Sequence, residues 1–241
     1  MIYGAILASG KGTRVKSVSS VPKQFMKINN IPTIIYTIRN MLKVTRFNYI
    51  YLAVPNDYIE YCNNLINEYL KEYEKEKIII VAGGKERMDS IDNIISKITE
   101  EKEITEEDII VIHDGVRPFV TEKILNDSID GAIKYGAVVC AIPVSDTLLI
   151  SNEGNVVDEI PKRSLYYKGQ APDSFNLKIF IELLNKLTDE QRKIITGTSQ
   201  VCILNNYPIH MIEGDEVNFK ITTASDFIIA ENIIKGSENN D

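Results

Sequence analysis

Tyr3-Gly4-Ala5-Ile6-Leu7-Ala8-Ser9-Gly10-Lys11-Gly12-Thr13-Arg14 is the stretch on which the fold turns. A compact, uncharged run ends in small residues and glycines. A strand apolar at every position is buried on both faces, as in a parallel sheet covered by helices. Similar runs recur at residues 47–54, 78–81, 108–113 and 138–142, and amphipathic stretches separate them. Pro32 suits the first turn of a helix carrying Ile34, Ile35, Ile38, Met41 and Leu42. Residues 56–74 place Ile59, Cys62, Leu65, Ile66, Tyr69 and Leu70 on one helical face. Further helices are expected near 88–98, 121–135, 176–186, 196–204 and 224–235, with a short strand at 209–212. The pattern predicts an α/β, Rossmann-like, mostly parallel sheet flanked by helices. Its regularity weakens after Pro143. Residues 144–170 alternate about Asn152-Glu153-Gly154-Asn155, which predicts a hairpin or inserted β-arm. One domain over 1–241 is expected, with a frayed tail at 236–241.

Composition narrows the classes. The 241 residues carry a net charge of −7 and are 44% hydrophobic, which excludes wholesale disorder. That acidic balance argues against a nucleic-acid binder, which needs a basic footprint. Cys62, Cys140 and Cys202 are odd in number and widely spaced, and only two histidines are present. Neither a disulfide framework nor a thiolate or imidazole metal centre follows. No basic leader and no run of about 20 apolar residues is visible, so a cytoplasmic location without a membrane partner is expected.

The loop after the first strand lies where open α/β sheets bind ligands, beyond the carboxyl ends of the strands. Glycines admit an anion close to the backbone, and successive N–H groups can cradle phosphate oxygens. A dinucleotide fingerprint would need glycine at position 15, which is Val15, so an NAD-dependent dehydrogenase is disfavoured. The P-loop pattern fails as well, for no Gly-Lys here precedes Ser or Thr. What remains is Gly10-x-Gly12-x-Arg14 with Lys23 nine residues beyond. Two cations beside a glycine loop suit a triphosphate; a plain solvated loop is the alternative.

Three further motifs follow. Gly83-Gly84-Lys85-Glu86-Arg87-Met88-Asp89-Ser90 ends the third strand and could be an ordinary turn capped by Asp89 or Ser90. His113-Asp114-Gly115-Val116-Arg117-Pro118 follows the fourth. There Asp114 is placed to hold Mg²⁺, a hard cation that prefers oxygen, and His113 reads as a structural hydrogen-bonding residue. Asn218-Phe219-Lys220-Ile221-Thr222 offers another cation before the last helix. Each is weak alone. Their order, three of them after successive strands, makes them specific together.

With Pro22-Lys23-Gln24-Phe25 and residues 143–147, 169–175 and 218–226, these motifs resemble one cytidylyltransferase family along essentially the whole chain. The family includes 2-C-methyl-D-erythritol 4-phosphate and ribitol-5-phosphate cytidylyltransferases. Val116, Tyr167-Lys168-Gly169-Gln170, Ser174-Phe175 and Lys220-Ile221-Thr222-Thr223 look more like the ribitol-phosphate branch. The resemblance implies a nucleotide-diphospho-sugar transferase type of sheet and Mg²⁺-dependent cytidylyl transfer from CTP to an alditol phosphate. D-ribitol 5-phosphate is the leading acceptor, and a CDP-alditol for a cell-surface polymer such as teichoic acid the product. It further implies that Arg14, Lys23 and Lys220 are catalytic. Leu7, Ala8, Ser9, Gly10, Lys11, Gly12, Gly83, Arg87, Ser90, Asp114, Gly115 and Arg117 would meet the nucleotide, with Asp114 the metal ligand. Arg163 and Thr196 would bind the acceptor, Arg163 across a homodimer interface made by the 144–170 arm.

Departures fall on the acceptor side. Gln170-Ala171-Pro172-Asp173 stands where the family usually has Q-T-P-Q, and Thr196-Gly197 where it has Thr-Asp. A hydroxyl and a carboxylate are thereby missing, which points away from methylerythritol phosphate. The isoprenoid-pathway enzyme is therefore the nearer rival, and a non-catalytic nucleotide-binding module the rival of another class. Pyrophosphate release from CTP with a panel of alditol phosphates separates all three.

Overall fold

The computed structural model describes residues 1–10 and 21–238. Its main sheet has seven strands: β1 (Ile2–Leu7), β4 (Tyr49–Val54), β5 (Ile78–Ala82), β6 (Ile109–Asp114), β7 (Ala137–Pro143), β8 (Tyr167–Asn176) and β9 (His210–Glu213). Across the sheet they run β5-β4-β1-β6-β8-β7-β9. Strands β5, β4, β1 and β6 are parallel, β8 is antiparallel to both neighbours, and β9 pairs parallel with β7. A two-residue-per-strand hairpin, β2 (Lys27–Ile28) with β3 (Ile31–Pro32), stands apart.

Alternation along each buried strand divides the core in two. From β4, Ile50, Leu52 and Val54 face one layer with Ile109 and Val111 of β6. There they meet α1 (Thr33–Lys43), α2 (Ile59–Tyr69) and α5 (Glu122–Tyr135) through Ile35, Ile38, Leu65 and Ile129. Tyr51, Ala53, Ile110 and Ile112 face the other layer. It contains α4 (Arg87–Glu101), α6 (Leu177–Asn185) and α8 (Gln200–Leu204), through Ile91, Ile94, Phe180 and Val201. The short α3 (Glu72–Lys75) and α7 (Asp189–Ile194) lie between these elements in sequence. A third cluster packs Phe227, Ala230 and Ile234 of α9 (Ala224–Glu238) on Ile28 and Val116. No helix among the described residues is long and apolar enough to cross a membrane.

Several expectations change. Pro32 ends β3 and precedes α1 rather than lying inside its first turn. The expected helix over 56–74 is a 3-10 turn, α2, and the separate α3, because the chain turns extended at Leu70. The helix expected over 196–204 begins only at Gln200, and α7 precedes it, capped by Thr188 and Gln191. The expected β-arm over 144–170 forms one antiparallel bridge, Ile150 with Glu159, and no strand between 144 and 166. Residues 167–170 belong instead to β8, where Lys168, Gly169 and Gln170 pair with Ile142, Ala141 and Cys140. Long-range pairing prevails there over a sequence poor in strand formers. At the other end, α9 runs on to Glu238.

Candidate active site

The carboxyl ends of β1, β5 and β6 bring three loops together, and two adjoining cavities open there. The first, about 270 Å³, is lined by Leu7, Ala8, Ser9, Gly10, Lys23, Gln24, Lys85, Glu86, Arg87, Ser90, Asp114, Val116 and Lys220. The second, about 200 Å³, shares Arg87, Asp114 and Lys220 and adds Arg117, Val139, Gly169, Gln170, Ala171, Asp173, Thr196, Gly197 and Ser199. Nine of the expected nucleotide and catalytic positions thus meet at the first cavity: Leu7, Ala8, Ser9, Gly10, Lys23, Arg87, Ser90, Asp114 and Lys220, of which Arg87, Asp114 and Lys220 also line the second. Lys11, Gly12 and Arg14 lie outside the described residues.

Gly83 and Gly115 line neither cavity; they set how closely the loops approach. A β-carbon on Gly83 would collide with Ser9, and one on Gly115 would stand 2.8 Å from Ile34 Cδ1 and 2.9 Å from Ala8 Cβ. The Gly83 N–H donates to Val54 O at 2.7 Å, and the Gly115 N–H to Leu7 O at 2.9 Å. Ser90, one expected helix cap, serves the site instead: its Oγ accepts from the Gly84 N–H at 3.0 Å and lies 2.8 Å from Ser9 Oγ. Capping falls to Asp89, whose carboxylate accepts from the Glu86 N–H at 2.9 Å. Gln24 escaped the sequence reading. Fully buried, it donates from Nε2 to Ala8 O at 2.6 Å and to Gly10 O at 3.3 Å, tying the glycine loop to the segment that carries Lys23. Its place beside Lys23 in the Pro22–Phe25 motif was the available signal.

Asp114 is the electrostatic centre. Oδ1 accepts from Arg87 Nη1 at 2.9 Å, while Oδ2 lies 3.2 Å from Arg117 Nε and 3.0 Å from Lys220 Nζ. Burial alone would push its carboxyl up, yet Arg87, Lys220 and Arg117 outweigh that and hold it well below the usual carboxylate range. Each cation is itself anchored. Arg87 Nε donates to Thr198 Oγ1 at 3.2 Å, and Arg117 Nη1 to Asn218 O at 2.7 Å. Asp226 Oδ2 gathers the Thr222 and Thr223 N–H groups at 2.7 and 2.8 Å, holding the segment after Lys220 on α9. His113 is buried, its Nε2 lies 3.2 Å from Arg117 O, and burial pushes its pKa down to about 4.

A magnesium ion can be tested against this donor set. Asp114 supplies one ionised carboxylate, already shared by three cations, and among the described residues no group of three His, Cys, Asp or Glu side chains converges. Such a set suits Mg²⁺ arriving with its remaining oxygen ligands on a phosphate chain, and does not suit an ion held by protein alone.

The acceptor-side expectations separate. Thr196 lines the second cavity, where its N–H and Oγ1 donate to Gln200 Oε1 at 2.6 and 3.0 Å. Arg163 lines neither cavity of its own chain; it is exposed and donates from Nη1 to Ser145 O at 2.6 Å.

Fold and site define an α/β protein with two adjoining cavities at the carboxyl ends of a mostly parallel sheet, walled by cations about one buried carboxylate. The family model for 2-C-methyl-D-erythritol 4-phosphate cytidylyltransferase, IspD, matches residues 2–236, and the chain belongs to that family. Solved structures share the fold at low identity. The 4-diphosphocytidyl-2C-methyl-D-erythritol synthase of Anaerococcus prevotii is 22% identical, with a TM-score of 0.77 over 98% of this chain and 96% of that one. The 2-C-methyl-D-erythritol 4-phosphate cytidylyltransferase of Thermus thermophilus is 20% identical (TM-score 0.73; 98% and 100% covered). That of Francisella tularensis is 22% identical (TM-score 0.73; 95% and 97% covered). All three names contain methylerythritol, and two of them name its 4-phosphate, the acceptor that the departures at 171, 173 and 197 pointed away from.

Proposed function

We propose that the chain transfers the cytidylyl group of CTP to a phosphorylated polyol and releases pyrophosphate. One observation carries this reading: two adjoining cavities share the wall of Arg87, Asp114 and Lys220. Two phosphates must meet in such a reaction, and fixed cations at their meeting point offset the repulsion and stabilise the developing charge. CTP takes the first cavity, its phosphates toward Lys23 and Lys220, with Arg14 assigned to them by the family resemblance alone, and its base and ribose toward Ser90 and the loop that Gly83 begins. The acceptor takes the second. One of its phosphate oxygens attacks the α-phosphorus; a P–O bond forms there and the bond to pyrophosphate breaks. The attacking oxygen is already an anion, so no general base is required and His113 stays neutral. Mg²⁺ bound with the triphosphate, Asp114 its protein ligand, would supply further charge neutralisation.

The family description favours 2-C-methyl-D-erythritol 4-phosphate as acceptor, and with it isoprenoid synthesis. Ala171, Asp173 and Gly197 at the second cavity favour a second reading, D-ribitol 5-phosphate and a CDP-alditol for a surface polymer. The exposed apolar side chains of the 149–165 segment support a homodimer in which Arg163 serves the neighbouring acceptor cavity. Purified protein, CTP and Mg²⁺ are assayed for pyrophosphate with methylerythritol, ribitol and glycerol phosphates. Acceptor-dependent release is expected, and the acceptor with the highest kcat/KM decides between the two readings. Release with none of them sinks the proposal.

A further inference from the structure

We propose that Asp173 determines acceptor specificity, its carboxyl hydrogen-bonding the hydroxyls of the polyol at the end remote from the phosphate. The inference rests on the cytidylyl-transfer reading and assigns a residue to it.

The placement comes from a break in the sheet. Strand β8 pairs Asp173 with Val139 and Gln170 with Cys140, so Ala171 and Pro172 bulge between consecutive partners on β7. Bulges re-aim side chains. Here Asp173 lines the second cavity although only 6% exposed. Gln170 and Thr196 at that cavity are already engaged. Gln170 donates to Asp215 O at 2.8 Å and accepts from the Asp215 N–H at 3.2 Å. Thr196 is bound to Gln200. Asp173, by contrast, takes one hydrogen bond among the described residues, from the Ser199 N–H to Oδ2 at 3.1 Å. A carboxyl has about four acceptor sites, so Asp173 keeps acceptor capacity for a ligand in the cavity it lines.

Charge then orients the ligand. A carboxylate repels a phosphate, whereas hydroxyls both donate and accept and so satisfy a carboxyl in either protonation state. The acceptor phosphate therefore belongs at the cationic wall of Arg87 and Lys220, and the hydroxyl end at Asp173. At about 200 Å³ the cavity is smaller than the ~300–1,000 Å³ of drug-sized sites and suits a short acyclic polyol.

The test uses the full chain, the best acceptor of the panel, and an analogue of it lacking the two hydroxyls farthest from the phosphate. Asp173→Ala is expected to raise the acceptor KM about 10–100-fold, with the CTP KM unchanged within about threefold. Asp173→Asn, which keeps an oxygen for the Ser199 N–H, should recover most of that loss. With the deoxy analogue the wild type should be as poor as Asp173→Ala, and the variant penalty should vanish. A structural role would instead lower turnover of both acceptors equally. Unchanged acceptor KM in Asp173→Ala, or an equal penalty on the deoxy analogue, overturns the inference and leaves cytidylyl transfer standing. Should Asp173→Ala fail to fold, Asp173→Asn and the wild-type response to the deoxy analogue decide the matter. Absence of pyrophosphate release by the wild type removes the functional reading, and the inference with it.

Discussion

Two buried aspartates 59 positions apart line the second cavity, and their carboxyls are shifted in opposite directions. Asp114 is surrounded by Arg87, Arg117 and Lys220 and stays ionised. Asp173 has a backbone N–H for a partner, and burial pushes its carboxyl up to about 7 against the pull of Arg87. The sign of the consequence follows. Between about pH 4 and pH 7 the folded chain holds a proton on Asp173 that the unfolded chain releases, so this group's contribution to stability falls across that window and levels above it. Asp173→Asn is therefore expected to stabilise the fold by about 2–4 kcal/mol at pH 8 and by under about 1 kcal/mol at pH 4.5, read from urea unfolding. The lowered pKa of His113 acts the other way, its contribution being lost as pH falls from about 6.5 through 4, but it is common to both chains and cancels. A gain that does not grow with pH would show that the carboxyl titrates normally. Asp114 could be picked out from its place after a strand. Its partner Arg87, 27 positions away, could not, nor could the partner of Asp173, Ser199, which is 26 positions from it.

At the scale of elements, the site depends on how closely the ends of β1 and β5 approach. Gly83 is the closest point, because any side chain there meets Ser9. Gly83→Ala should cost about 1–3 kcal/mol of stability by overpacking and raise the CTP KM at least about tenfold through displacement of the glycine loop. Thermal melts and pyrophosphate kinetics measure both, and an unaffected CTP KM would detach this contact from nucleotide binding. Strands β1, β4, β5 and β6 and helices α1, α4 and α5 were legible because strand and helix periods are local properties of the chain, whereas the β2–β3 hairpin and the break between α2 and α3 were not. Strand β8 was not. Its residues Gly169, Pro172 and Asp173 are poor strand formers, and its ladder depends on β6 and β7, distant in sequence.

For the molecule as a whole, the exposed segment after β7 is the unusual surface. Leu149, Val156, Ile160 and Leu165 are 59–71% exposed, more apolar surface than a lone segment gains by showing. Ile160→Glu with Leu165→Glu should convert a dimer to a monomer in sedimentation equilibrium. If Arg163 serves the neighbour, the acceptor KM rises at the same time while the CTP KM does not. A wild type that sediments as a monomer would end the dimer reading. The amino-acid sequence alone determined the α/β class, the three loops at the strand ends and the cations they carry, because apolar period and glycine placement are written into short segments. Tertiary structure alone decided that β8 enters the sheet antiparallel between β6 and β7, that Asp114 ties Arg87, Arg117 and Lys220 into one wall, and that Asp173 is buried at the second cavity. Each of these depends on contacts between residues far apart in the chain, whose energies arise from desolvation and charge once the fold has brought them together.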